Sequence, residues 1–160
     1  LTQEYRRISK SDTDRVKMLL AEIAVLSSYI KRRKHLTLLA DRDCKVAVSE
    51  LERAFSESLQ TLKLLNVRNT LYVDSELSTL SGKNAAAILD FYEEVIEADL
   101  ENLTSVQISL ANINGLRLSL NVCCEADLSI FLNKGNVIYE MDDDAGYQHL
   151  VFIIEGGAAV

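Results

Sequence analysis

Apolar positions near the start of the chain recur at alternating steps of four and three residues, the spacing of a narrow stripe along one helix. The stripe consists of Val16, Leu20, Ile23, Ser27 and Ile30. We expect one long helix over residues 11–40, with Ser11 as its N-cap. Because so narrow a stripe must be covered, it predicts packing on another helix of the same chain or of a partner chain, most simply in a homodimer.

Two later stretches have the 3.6-residue apolar period of amphipathic helices. The first covers residues 46–65, and Asn66 follows at the position of a left-handed C-cap. The second opens at Ser81 and extends over residues 81–103. Its apolar side chains share one face, and the other face is occupied or bordered by Glu93, Glu94, Glu97 and Glu101. A short strand is expected between these helices, over residues 70–74.

Beyond the last of these helices the apolar period changes to two, which is typical of strands with one buried face. Residues 106–110 and 116–122 alternate in this way on either side of Asn114-Gly115, a strong signal for a tight hairpin turn. Two more strands are expected over residues 137–141 and 148–155, joined by an acidic turn. A helical turn is expected within residues 125–136.

The predicted fold class is α+β, in which a long N-terminal helix is followed by a two-layer α/β sandwich with helices on one face of a mixed sheet. We expect the long helix to stand apart from the sandwich. A domain boundary is placed at Asp41-Arg42-Asp43. It divides the chain into a dimerisation-type helix, residues 1–40, and an α/β domain, residues 41–160.

Composition narrows the possible partners of this chain. The formal net charge is −7 over 160 residues, and an acidic balance argues against general nucleic-acid binding, which requires neutralisation of phosphates. It equally disfavours an anionic membrane surface as a partner, and no apolar run is long enough to span a bilayer. The chain opens with Leu1, so we expect a fragment of a longer protein whose parent could carry a membrane anchor.

The three cysteines are Cys44, Cys123 and Cys124. An odd number with one vicinal pair fits the reducing cytosol, where they are expected to be ordinary half-buried thiols. Their spacing lacks the CxxC or Cys/His pattern of a metal site. Gly82-Lys83 lacks the remaining residues of a phosphate loop, and no arrangement of the two histidines suggests a catalytic triad.

The order of elements, together with Tyr29-Ile30-Lys31-Arg32-Arg33 and Glu57-Ser58-Leu59, resembles sensor histidine kinases. The α/β part is similar to their ATP-binding domain, of the wider gyrase, Hsp90 and kinase ATPase family. The first helix resembles the second helix of their dimerisation and phosphotransfer hairpin. The resemblance implies a cytoplasmic homodimer that acts in two-component signalling with a response regulator. The phosphoacceptor histidine is expected upstream of Leu1, because His35 lies at the end of the other helix.

The motifs that the resemblance implies for Mg²⁺ and ATP are altered. In the family, the helix before the hairpin carries a Glu and, four residues on, an Asn that holds Mg²⁺ on the phosphates. Glu93 fits the first position and Glu97 replaces the Asn, so both are candidate cofactor-binding positions of a degenerate motif. The glycine-rich adenine box should follow Val122, but residues 123–127 contain no glycine. We therefore expect no bound ATP or Mg²⁺ and assign no catalytic residue.

Three functional hypotheses remain open from the sequence. The leading hypothesis is a histidine-kinase-derived module with a degenerate ATPase-like domain, which acts as a scaffold or phosphotransfer partner. The alternative is a protein-interaction and dimerisation module without any link to phosphate chemistry. The third is a functioning kinase domain with divergent boxes, for which enzymatic activity would be retained.

Overall fold

The computed structural model describes residues 2–41 and 44–154, with side chains for residues 10–35, 37–38 and 44–154. It confirms the predicted α+β class. Two short 3-10 helices, η1 (Leu100–Asn102) and η2 (Leu128–Lys134), supplement the main elements. The main elements are α1 (Thr2–Asp41), β1 (Lys45–Ala47), α2 (Val48–Leu64), β2 (Arg68–Val73), β3 (Thr79–Ser81), α3 (Gly82–Glu97), β4 (Ser105–Asn112), β5 (Leu116–Cys123), β6 (Val137–Asp142) and β7 (Tyr147–Ile154).

The main sheet has five strands in the order β2-β4-β5-β7-β6. Strand β2 runs parallel to β4, and the other neighbours are antiparallel. The predicted hairpin is confirmed, since Asn114 and Gly115 both adopt positive φ angles, 52° and 112°, between β4 and β5. Alternate side chains of β5 are buried, as the period of two predicts.

Helices α2 and α3 cover one face of this sheet and enclose the core between the two layers. Their contact centres on Tyr92, whose ring meets Phe55 edge-to-face with centroids 5.1 Å apart. The Tyr92 hydroxyl is hydrogen-bonded to the Ser58 hydroxyl at 2.9 Å, which satisfies a polar group inside the core. Ser81 caps α3 by accepting a hydrogen bond from the Asn84 N–H at 3.1 Å.

The first helix does not stand apart, and this expectation was wrong. Helix α1 packs on both α2 and α3, and Val25 belongs to the same buried core as the sandwich. The sequence carries a second, less obvious stripe in Ala21, Val25 and Tyr29, which faces the sandwich. Because Ala21 is small, it lets the helices approach closely. The N-cap at Ser11 was also wrong, because the helix already begins at Thr2.

Two short strands and two helix ends differ from the predictions. Strands β1 and β3 pair with each other, so α2 begins at Val48 rather than two residues earlier. Helix α3 ends at Glu97 because Asp99 leaves the helical region, with φ −157°. Of the predicted domain boundary, Arg42 and Asp43 lie outside the described residues, and the division into two domains stays a prediction. None of the described helices has the length and apolarity to cross a membrane.

Candidate functional site

The two positions of the degenerate Mg–ATP motif lie one turn apart on α3 but in different environments. Glu93 is only 3% exposed, and its Oε2 atom has no hydrogen-bond partner. Burial, and then the nearby charge of Glu97, raises the pKa of Glu93 to about 8. Glu97 itself is exposed. The two carboxylates therefore share one side of α3 but differ in exposure, and their role in holding Mg²⁺ and ATP stays a prediction.

The segment after β5, where the resemblance places the adenine box, is held by Gln148 of β7. The Gln148 Oε1 atom accepts hydrogen bonds from the Leu128 N–H at 2.8 Å and from the Tyr139 hydroxyl at 3.1 Å. Its Nε2 atom donates to the Ala126 carbonyl at 2.8 Å and to the Cys124 sulfur at 3.6 Å. One buried side chain thus satisfies several polar groups of the segment, which fixes its course.

Asp99 holds the same segment from the other side. Its Oδ2 atom accepts hydrogen bonds from the N–H groups of Glu125 and Ala126, both at 2.8 Å, and its Oδ1 atom accepts from the Asn102 amide at 2.8 Å. Burial tends to raise the pKa of Asp99, but hydrogen bonds from Ala126, Asn102 and Glu125 outweigh it and hold this pKa below its ordinary value. A carboxylate here binds the chain's own backbone, not a ligand.

We expect Asp99→Ala to lower the free energy of unfolding by about 1–3 kcal/mol, because two backbone donors lose a charged acceptor. Urea denaturation at neutral pH measures this loss, and Glu101→Ala, at an exposed position nearby, is the control. Since the pKa of Asp99 is lowered in the folded state, the difference should be complete at neutral pH. It should disappear as the pH falls below the ordinary pKa of an aspartate. Equal stability of both variants at neutral pH would contradict this role.

Helix η2 then closes over the end of the core. Leu128 and Phe131 are buried. Phe91 of α3 meets Phe131 edge-to-face, with centroids 5.7 Å apart, and stacks on Phe152 of β7 at 4.6 Å. Lys134, at the end of η2, forms an ion pair with Glu94 of α3 at 2.6 Å. Apolar side chains therefore fill the place between helix and sheet that follows the altered box.

A second cluster of polar contacts joins α1 to the sandwich. The Tyr29 hydroxyl donates a hydrogen bond to the Asp90 carboxylate at 3.1 Å, and Arg33 forms an ion pair with the same carboxylate. Arg32 pairs with Glu57 of α2. Two arginines that follow Tyr29 thus fasten α1 to α2 and α3. Because the contacts are partly exposed, each is worth no more than about 1 kcal/mol.

The predicted dimerisation stripe lies on the opposite face of α1. Val16, Leu20, Ile23 and Ile30 are 54–64% exposed. Leu19 and Leu26 lie beside them and are also exposed. Surface of this kind, apolar and continuous along one helix face, marks an interaction site in soluble proteins. Within the described residues, the stripe therefore has no cover, and its pairing with a second chain stays a prediction.

The remaining sequence candidates have ordinary structural surroundings. His149 Nδ1 is hydrogen-bonded to the Asn121 Oδ1 atom on the open face of the sheet, and His35 is exposed. Residues 142–146 form the predicted turn, with Gly146 at φ 70°. Burial raises the pKa of the Cys124 thiol to about 11, so it is not an activated nucleophile. No grouping of potential metal ligands occurs in the part of the chain that the structure describes.

This arrangement of layers, with an antiparallel hairpin at the centre of the sheet and a long helix ahead of it, is the fold of histidine kinase domains. It is shared with the histidine kinase domain of the Erythrobacter litoralis EL346 blue-light activated histidine kinase. That structure is 14% identical with a TM-score of 0.54, and the match covers 81% of this chain and 74% of that one. At this identity the likeness concerns the fold.

Other solved structures match more weakly. The cytoplasmic segment of histidine kinase QseC is 13% identical, with a TM-score of 0.48 over 87% of this chain and 95% of that chain. A bacterial phosphotransferase is 8% identical, with a TM-score of 0.47 over 85% of this chain and 89% of that chain. No protein-family model and no curated protein matches the sequence.

Proposed function

We propose that this chain acts in two-component signal transduction as a histidine-kinase-like module whose ATPase-like domain does not bind ATP. In this role it serves as a scaffold or a phosphotransfer partner in the cytoplasm, with a response regulator or another signalling protein as its partner. The fold of histidine kinase domains supports the signalling role. The observation that carries the loss of ATP binding is the closed segment from Cys124 to Lys134.

We infer that this segment replaces the open backbone that the family resemblance implies for a nucleotide. Glycines let a chain approach a ligand closely and adopt unusual angles, but residues 123–134 contain none. Three of their backbone N–H groups, those of Glu125, Ala126 and Leu128, are bound internally by Asp99 and Gln148. The buried rings of Phe91, Phe131 and Phe152 take up the space beneath. These contacts favour a domain that acts through its shape and its surfaces and not through nucleotide binding.

The positions corresponding to the Mg²⁺ motif do not fit the ion either. Mg²⁺ takes oxygen ligands that can turn towards it, and a carboxyl group serves this role well only when it is ionised. Because burial raises the pKa of Glu93 to about 8, this carboxyl is mostly protonated at neutral pH. Glu97 brings one more negative charge than the family's Asn beside any triphosphate.

The exposed stripe of α1 supports homodimer formation. It gives each chain an apolar helix face that is directed away from its own core. A symmetric contact between two such faces would remove these exposed apolar side chains from water. The same face is the observation that favours the alternative function, a dimerisation module without phosphate chemistry. An assay of binding to response regulators separates these two functions, because only the signalling module should bind them.

The test of the main proposal is calorimetric titration with ATP and Mg²⁺. We expect no saturable binding at low millimolar nucleotide. Loss of even two or three nucleotide hydrogen bonds, each worth roughly 0.5–1.5 kcal/mol, weakens binding by about one to three orders of magnitude. Glu97→Asn provides a sharp companion variant, because it restores the family's residue on α3 and leaves the closed segment unchanged. It should also fail to bind.

Micromolar affinity in the unmodified protein, abolished by Glu93→Ala or Glu97→Ala, would overturn the proposal and restore the kinase hypothesis. Binding that appears only in Glu97→Asn would show that the lost amide, not the closed segment, prevents nucleotide binding. Circular dichroism of each variant confirms that the fold is retained.

A further inference from the structure

One edge of the main sheet is formed by β6, which pairs with β7 alone. Among the residues that the structure describes, no backbone group is hydrogen-bonded to the other side of this strand. The strand is also accessible, because four of its six residues are exposed, namely Ile138, Glu140, Met141 and Asp142. An exposed edge of this kind presents a row of N–H and C=O groups with which another strand can pair.

One hydrogen bond shows which backbone groups of β6 face outwards. The Ile153 N–H donates to the Asn136 carbonyl at 2.9 Å, and these two residues stand one step beyond the first registered pair of β6 and β7. Hydrogen-bonded and non-bonded pairs alternate along an antiparallel ladder. The residues of β6 that bond to β7 are therefore Ile138, Glu140 and Asp142. The outward-facing groups belong to the other three residues, Val137, Tyr139 and Met141.

The two sides of this edge differ in chemistry. Towards the open face of the sheet, β6 presents the carboxylates of Glu140 and Asp142. They border a cleft of about 350 Å³, and its described lining contains neither lysine nor arginine. On the helix side Met141 is exposed, and η2, which packs against β6, exposes Ile130 and Leu132. One side of the edge is thus acidic and the other is apolar.

This edge lacks the features by which proteins prevent strand pairing. Such features are a lysine or a proline in the edge strand, or a β-bulge. Strand β6 contains neither residue, and its register with β7 is uninterrupted. At the opposite edge of the sheet, in contrast, β2 begins with the cationic Arg68. The edge at β6 is therefore the one that favours an added strand.

The charge of this edge selects the kind of strand that can be added. Asp143 and Asp144 follow Glu140 and Asp142 directly in the turn. Two copies of the chain paired through β6 would bring these carboxylates close to one another, and like charges in facing strands are destabilising. A strand that carries lysine or arginine on this side would instead be attracted.

We propose that β6 binds an extended segment of a partner protein, in which basic side chains alternate with apolar ones, as an additional antiparallel strand. Main-chain hydrogen bonds to Val137, Tyr139 and Met141 hold the segment, as in other cases of strand addition. The basic side chains of the segment lie beside Glu140 and Asp142, and its apolar side chains lie on the helix side. Antiparallel pairing is the more stable arrangement per residue.

This interaction goes beyond the proposed function, because it requires neither a nucleotide site nor pairing through α1. It applies equally to a signalling module and to a dimerisation module. Its failure would leave the outcome of the ATP titration unchanged.

The test is an NMR titration of the complete chain with a short peptide in which lysine alternates with valine. We expect saturable binding at physiological ionic strength, at which general attraction to an acidic protein is screened. Chemical shift changes should follow β6, the turn over residues 143–146 and β7, and the amides of β2 should not respond. A peptide of the same composition without the alternation is the control and should bind much more weakly.

Backbone methylation of the peptide tests the strand geometry. Residues that stand opposite each other in an antiparallel pair place their side chains on the same face, so the valines stand opposite Val137, Tyr139 and Met141. Their N–H groups therefore face β6. N-methylation of the valine amides should abolish binding, whereas N-methylation of the lysine amides should weaken it much less.

Two pairs of protein variants separate charge from backbone pairing. Glu140→Lys should weaken binding about three- to tenfold, and Glu76→Lys, the same change at an exposed site elsewhere, should leave it unchanged. Met141→Pro removes an outward N–H, which an edge strand tolerates. It should bind at least about fivefold more weakly than Met141→Ala, which loses the same side chain but keeps its N–H. Circular dichroism checks that each variant is folded.

Three results would overturn the proposal. The first is equal binding of the alternating and the non-alternating peptide, which would reduce the effect to general electrostatic attraction. The second is a set of shift changes that follows the acidic residues of α3 in place of β6. The third is a homodimer that Met141→Pro disrupts, because a second copy would then occupy this edge.

Discussion

A Val16→Asp, Ile23→Asp double variant should be monomeric at concentrations at which the unmodified protein is a dimer. Both side chains are more than half exposed in the single chain, so in a dimer they would supply buried apolar area. Full burial of such a side chain is worth about 1.5–3 kcal/mol, and an aspartate in its place adds a desolvation cost. The combined loss exceeds about 3 kcal/mol, or roughly 100-fold in the dissociation constant.

Multi-angle light scattering over a range of concentrations measures this change. A Ser11→Asp, Lys17→Asp variant is the matched control, since it adds at least as much negative charge to exposed positions of α1 and keeps the stripe intact. The double variant should keep its helical circular dichroism, because the stripe lies opposite the docked face with Ala21 and Val25. An unmodified protein that is already monomeric at high concentration would contradict homodimer formation through this stripe.

The strands of the main sheet were predictable because the alternation of apolar and polar residues in each strand lies within a few consecutive residues. The period of two along β4 and β5, together with Asn114-Gly115, specifies both a hairpin and its buried face. Helix α2 was predictable for the same reason, and Asn66 adopts the expected left-handed conformation with φ 61°. The short strands β1 and β3 carry no such pattern, since three residues are too few to show a period.

Helix α1 carries two apolar stripes, and the stripe with the larger side chains is the easier one to recognise in the sequence. The larger side chains, such as Leu20 and Ile23, lie on the exposed face, whereas the docked face uses Ala21, Val25 and the partly polar Tyr29. Hydrophobicity alone therefore points to the wrong face for intramolecular packing. Size offers the missing signal, because a small residue such as Ala21 permits the close approach of a second helix.

The candidate site could be predicted only as a set of losses. The sequence shows that residues 123–127 contain no glycine, but it does not show which side chains hold this segment in place. Asp99 and Gln148 reach this segment over 26 to 27 and 20 to 24 residues of sequence separation respectively. The burial of Glu93 likewise depends on tertiary packing, which local periodicity does not specify.

Replacement of Phe131 by alanine should destabilise the protein by about 3 kcal/mol, whereas the same replacement of its neighbour Ile130 should cost less than about 0.5 kcal/mol. The two residues are adjacent in η2, but Phe131 is buried and Ile130 is exposed. Phe131→Ala removes a ring that meets Phe91 edge-to-face and leaves a cavity at the end of the core. Thermal and urea denaturation measure both effects.

The comparison of these two variants also bears on the closed segment itself. If η2 lay loosely over an open site, the Phe131 ring would contribute little to the free energy of unfolding. The Phe131→Ala and Ile130→Ala variants would then have similar stability. A large difference instead requires Phe131 to be part of the core, together with Phe91 and Phe152. Because the cavity left by Phe131→Ala would be apolar, it should not gain affinity for a triphosphate. ATP binding to this variant alone would show that the ring, not the absent glycines, excludes the nucleotide.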